Sequence, residues 1–95
     1  MSKKNDQIKK RYIFVPLGQY LSKARKGASL SQREVADKMG YSSPQFISNI
    51  ERGLASVPIE QLGKIVELYS ISPNNFLKFY LNLEKNYVSE FMPKK

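Results

Sequence analysis

Gln45, Ser48, Asn49 and Arg52 follow one another at steps of three, one and three, a spacing that gathers them on one side of a helix. Ile47 and Ile50 fall on the other side. The outward side is polar and nearly uncharged, and amide and hydroxyl groups both donate and accept hydrogen bonds. Such groups can match the donor and acceptor pattern that base edges show in a major groove, glutamine and asparagine suiting adenine best. Polar residues on an isolated helix ordinarily just face water. What surrounds this helix therefore decides whether its polar side does chemistry.

Two short helices are written into residues 31–53. Ser31 and Glu34 form a capping box, with Leu30 and Val35 placed for the accompanying hydrophobic staple, so the first helix has a well-determined start. Val35, Ala36 and Met39 give it one narrow apolar face, and Gly40 supplies a left-handed stop. After a short connection, Ser43 is suited to the N-cap and Pro44 to the first helical position, and Gly53 closes this second helix. Upstream, Pro16 opens a helix in which Leu17, Tyr20, Leu21 and Ala24 repeat at helical spacing, and Gly27 ends it. Downstream, Pro58 opens a helix carrying Leu62, Ile65, Val66 and Tyr69, and Ser72 with Pro73 opens a fifth. Gly63 lies inside the fourth helix, where either a close backbone contact requires it or the helix is weaker by about 1 kcal/mol. The expected fold is all-α, a compact five-helix bundle.

The run LSQREVADKMGYSSPQFISNIERG resembles the helix-turn-helix of the phage-repressor and Cro-like family of bacterial and phage transcription regulators, and the resemblance extends over roughly residues 17–81. Gln32, Ala36, Gly40, Ile47, Ile50, Glu51 and Gly53 fall in register with it. Between Gly40 and Ile47 the chain is one residue longer than in the shortest members. The resemblance implies a lambda-repressor-like domain that binds double-stranded DNA, with the second motif helix in the major groove. Pro44, Gln45, Ser48 and Asn49 take the base-reading positions, and Gln32 takes the position of a phosphate contact. Ser43 and Arg52 are expected at phosphates beside it. Arg25 and Glu51 occupy the places of a structural ion pair. Phe46 stands where smaller residues are common and either packs inward or meets a thymine methyl.

Charge agrees with a polyanionic partner. The 95 residues include 16 Lys+Arg against 8 Asp+Glu, a net +8 with a pI near 9.8. Within residues 1–26 there are eight basic residues against Asp6 alone, so seven of those charges sit in the first quarter of the chain. Residues 1–11 show no apolar period and read as a flexible basic arm, whose Lys9, Lys10 and Arg11 could reach backbone phosphates. Tyr12 to Val15 reads as a short strand-like segment that packs on the body. The length suits one domain, with a modest core. Cysteine and histidine are absent, so a thiolate metal site, a disulfide framework and histidine general-base chemistry are all excluded. The carboxylates form no cluster, and no glycine-rich phosphate loop appears. No enzyme, metal, cofactor or small-molecule ligand is therefore expected. No apolar run approaches the ~18 residues that would span a bilayer, so the expectation is a cytoplasmic, nucleoid-associated protein.

The last stretch carries Phe76, Tyr80, Leu83, Tyr87 and Phe91 at steps of four, three, four and four, with no proline before Pro93. The fifth helix is thus expected to run long, residues 82–95 forming a C-terminal extension with a frayed end. Part of its aromatic stripe should lack a partner within the domain at 12–81, and the stripe should serve as a homodimer interface; the alternative folds it back onto Tyr12 to Val15. A two-fold dimer would read a palindromic operator. The rival function is an antitoxin or another protein-interaction module on the same fold, using Tyr80 to Phe91 to hold a partner. RNA binding through the basic arm is a third reading.

Overall fold

A computed structural model describes residues 7–94 and shows five α-helices, α1 Val15–Gly27, α2 Gln32–Met39, α3 Gln45–Glu51, α4 Ile59–Leu68 and α5 Pro73–Ser89, with no strand among the described residues. Where residues 1–11 were expected to form an arm, residues 7–9 are helical and lead through a π-helical turn, Lys10–Phe14, straight into α1. Residues 1–6 of that arm lie outside the described residues. The expected strand-like segment at Tyr12 to Val15 is helical as well.

The cause is legible once the wider turn is allowed. Ile8, Ile13, Leu17 and Leu21 are all buried, at steps of five, four and four. A strict α-helical period cannot place Ile8 and Ile13 together, whereas one extra residue in the turn does. The turn closes with the Val15 N–H bonded to the Lys10 carbonyl, immediately before Pro16. In a regular helix the Pro16 ring would press on the carbonyl four residues back, that of Tyr12. Widening the turn at this point relieves that contact.

Helix ends follow the expected chemistry with two shifts. α1 continues through Gly27, and Ser29 takes the left-handed conformation (φ 59°), its successor Leu30 donating its N–H to the Arg25 carbonyl at 3.2 Å. Pro44 is the cap of α3 instead of its first residue, and Ser43 Oγ accepts the Gln45 N–H at 3.3 Å. α2 begins as expected: the Ser31 N–H donates to Glu34 Oε1 at 2.9 Å and the Glu34 N–H to Ser31 Oγ at 3.0 Å. Ser72 Oγ likewise accepts the Asn75 N–H at the start of α5.

The aromatic stripe of α5 is not free. Phe76 and Leu83 are buried in the chain's own core, Tyr80 and Tyr87 pack half-buried against it, and only Phe91 is largely exposed. Tyr20 stacks on Phe79 (centroids 4.2 Å apart) and meets Phe76 edge-on at 5.9 Å. Tyr12 donates to the Glu90 carboxylate at 3.0 Å, which holds its phenol proton above the usual range. Of the residues expected at a dimer interface, Phe76 and Leu83 are thus taken up by the chain's own core, α5 packing against Tyr20 of α1 and against the helical lead-in of residues 7–14. α5 runs across residue 82 without a break.

Candidate nucleic-acid interface

The motif helices are positioned from behind by an apolar cluster. Val35, Ala36 and Met39 of α2 and Ile47 and Ile50 of α3 are buried together with Leu17 and Leu21 of α1. Gly40 (φ 80°) turns the chain between the two motif helices, and the Tyr41 N–H donates to the Ala36 carbonyl at 2.8 Å. Tyr41 and Phe46 meet edge to face at 5.1 Å, and the Tyr41 hydroxyl donates to Gln61 Oε1 of α4. Of the two roles open to Phe46, the packed one is realised.

Two backbone contacts that sequence reasoning missed, at Gly18 and between Gly53 and Val15, set the depth and tilt of α3. Gly18 of α1 lies directly against its backbone: a Cβ there would stand 2.3 Å from the Ile50 carbonyl oxygen and 2.9 Å from that of Glu51. Only a residue without a Cβ allows the two helices this close. Gly53, at φ 75°, closes the end of α3 against Val15, whose Cγ2 would lie 2.8 Å from an added Cβ. The signal for Gly18 was an unexplained glycine inside an otherwise regular helical pattern.

The expected pair of Arg25 and Glu51 is present and bidentate. Arg25 Nε stands 2.6 Å from Glu51 Oε2 and Nη2 3.1 Å from Oε1, with side-chain exposures of 10% and 8%. Arg25 Nη1 also donates to the Leu30 carbonyl at 2.7 Å, tying the α1–α2 turn to α3. Burial alone would push the Glu51 carboxyl up, but the bonds from Arg25 and Gln32 outweigh it and hold it below the usual carboxylate range. Nearby, Tyr69 is pushed up to about 12, first by burial and then by the Glu51 charge. Gln32, expected at a phosphate, donates from Nε2 to Glu51 Oε1 at 3.0 Å, leaving a second N–H on the same nitrogen.

The outward side of α3 is open to solvent. Gln45 and Arg52 are exposed, and Pro44, Ser48 and Asn49 are half-buried at their helix side. Gln45 Nε2 donates to Asn49 Oδ1 at 3.0 Å, and Arg52 Nη2 donates to the same oxygen at 2.9 Å. The candidate base-reading residues are therefore brought together on one accessible face, where Gln45, Asn49 and Arg52 are linked to one another. Lys9, Lys10 and Arg11 are exposed on the helical lead-in. Lys10 and Arg11 border a shallow depression with Val15, the residue that abuts Gly53 just past Arg52. These cations thus reach the same edge of the molecule as the end of α3.

Among the described residues no helix is long and apolar enough to cross a membrane, and no three His, Cys, Asp or Glu side chains gather. The helix-turn-helix family profile matches residues 21–76, which takes in the end of α1, both motif helices, α4 and the start of α5. No curated protein and no solved structure matches the chain. The match spans more than half of the sequence and coincides with the capped, glycine-turned pair described above. The chain belongs to the helix-turn-helix family of DNA-binding regulators, in its phage-repressor and Cro-like branch.

Proposed function

We propose that this helix-turn-helix protein is a sequence-specific, repressor-like transcription regulator that lays α3 in the major groove of double-stranded DNA. Gln45, Ser48 and Asn49, with Pro44 at the helix start, read base edges. Gln32 through its second amide N–H, Ser43, and the cations Lys9, Lys10 and Arg11 hold backbone phosphates and set register. Repression needs only occupancy of the duplex, which binding alone achieves. Two copies on a palindromic operator would bring two α3 helices to successive major-groove faces about one helical turn (~34 Å) apart. An apolar surface open for pairing lies on the side of α5 where Leu77 and Leu81 stand exposed beside Ile59 of α4. The protein would then work in the cytoplasm, on the nucleoid.

The observation that supports this reading is the solvent-facing amide row on a helix whose other side is fastened by a backbone contact at Gly18 and a buried ion pair. Against the rival protein-interaction module, Leu83 of the Tyr80 to Phe91 stripe is buried in its own chain and Tyr80 and Tyr87 pack against that core. Replacing Gln45 or Asn49 by alanine should weaken binding to a selected site by about 1 to 3 kcal/mol with little effect on random duplex. Equal losses on both would contradict base reading. Replacing Lys9, Lys10 and Arg11 should weaken all duplexes alike and lower the salt slope by ~0.9 for every phosphate no longer neutralised. Sedimentation at tens of micromolar tests pairing: a monomer that stays monomeric would remove the preformed dimer.

A further inference from the structure

We infer that Arg52 fixes the hydrogen-bonding sense of the base-reading amides and so determines which bases they accept, a reading that rests on the proposed major-groove role of α3. An amide side chain can present its oxygen or its nitrogen in almost the same place, so an unconstrained glutamine or asparagine reads ambiguously. A guanidinium has donors only. Because Arg52 Nη2 lies 2.9 Å from one Asn49 atom, that atom has to be the oxygen, and Asn49 is locked with Oδ1 toward Arg52. Gln45 reaches the same oxygen at 3.0 Å and must therefore offer its nitrogen, which locks the second amide through the first. One cation at the end of the helix thus sets the orientation of two residues toward its start.

The consequence is a definite pattern. Both lone pairs of Asn49 Oδ1 are occupied, so Asn49 offers only N–H groups. Gln45 retains its Oε1 acceptor and one N–H. An acceptor beside a donor is what the N6 amino group and N7 of adenine require, so Gln45 fits adenine. Asn49, although asparagine ordinarily pairs with adenine, cannot accept from an N6 amino group in this arrangement. Its donors fit an edge made of acceptors, and guanine with N7 and O6 presents two of them. Arg52, expected from the sequence at a phosphate, acts here as a positioning residue.

The test is selection from a random duplex pool with the full chain in four forms: native, Arg52→Met, Arg52→Lys and Asn49→Asp. The native protein should enrich adenine at one position and guanine at another, each by roughly tenfold over the alternatives. Arg52→Met should flatten the guanine preference and blur the adenine one. Arg52→Lys still presents a donor to Oδ1 and should restore both preferences. Asn49→Asp, accepting from Gln45 and Arg52 but offering no N–H, should lose guanine and keep adenine. If Arg52→Met leaves both preferences intact and lowers the salt slope by ~0.9, Arg52 is a phosphate anchor and the inference is overturned. A native pool with no base preference at all would instead defeat the base-reading role itself. Arg52 is exposed, so folding is not at stake in these variants.

Discussion

The two ends of this small bundle are held by different means. Where α1, α2 and α3 meet, the joint is directional: a glycine lets two backbones touch, and a buried arginine binds a carboxylate, a carbonyl and, through that carboxylate, an amide. Where α4 and α5 meet, the joint is apolar and incompletely closed. A groove of about 780 Å³ runs between them, lined by Leu62, Val66, Ile71, Phe76 and Tyr80, and Ile59 and Leu81 at its rim are 74% and 61% exposed. Apolar contact fixes distance but tolerates sliding, whereas a bidentate ion pair and a backbone contact fix angle as well. The stiffer joint is the one beneath the helix that has to meet a groove in register.

Removing the ion pair should break that contrast most severely. Arg25→Ala would leave Glu51 buried without its partner and the Leu30 carbonyl without a donor, a loss of about 3 to 5 kcal/mol measurable by urea unfolding. A loss under about 1 kcal/mol would show that water or a rearranged Gln32 replaces the arginine. The same pair gives an acid limb to stability. Because the folded Glu51 carboxyl is held below its unfolded value, its contribution is complete above the usual glutamate range and disappears as pH falls through the lowered value. Glu51→Gln should be less stable at neutral pH and flatter in acid; an unchanged acid limb would assign that limb to other carboxylates.

Gly18→Ala should have a smaller effect on stability and a larger one on geometry. Alanine would gain about 1 kcal/mol of helix propensity. Against that, its Cβ would meet a carbonyl oxygen of α3, and overpacking of this kind costs about 1 to 3 kcal/mol. The contact is backbone to backbone, so no side chain can rotate away, and one of the two helices has to move. A net loss of up to about 2 kcal/mol is expected, together with reduced discrimination between a selected site and random duplex. Full discrimination at reduced stability would mean that α1 yields instead of α3.

The same contrast separates what could be read in the sequence from what could not. The motif was legible because its signals are local: the Ser31 and Glu34 box, Gly40 and Gly53 each act within a few residues. Arg25 and Glu51 were legible through the family resemblance, although they stand far apart in the chain. The lead-in was missed because its apolar residues Ile8 and Ile13 are five apart, a spacing that neither an α-helix nor a strand rewards, and because the basic Lys9, Lys10 and Arg11 lie between them. Missing it made the α5 stripe look unpartnered, although Phe76 and Leu83 are buried in the chain's own core. Gly18 was missed because a glycine that permits contact and a glycine that merely weakens a helix are identical in a sequence. Only the neighbouring backbone distinguishes them.

Gly63 is that second kind, and it gives the mildest and most discriminating test of the softer end. A Cβ at Gly63 would meet nothing within 4 Å, and the residue sits exposed inside α4 beside the apolar groove. Gly63→Ala should therefore stabilise the isolated chain by about 1 kcal/mol, through helix propensity and a less flexible unfolded state. Thermal unfolding should shift upward by about 4 to 8 °C for a chain of this size. The gain should be the same at low and high protein concentration if the groove stays open. If it shrinks or reverses only as concentration rises, another copy presses on α4 at that point, and the groove, with Phe76 and Tyr80 in its lining, is where two chains meet.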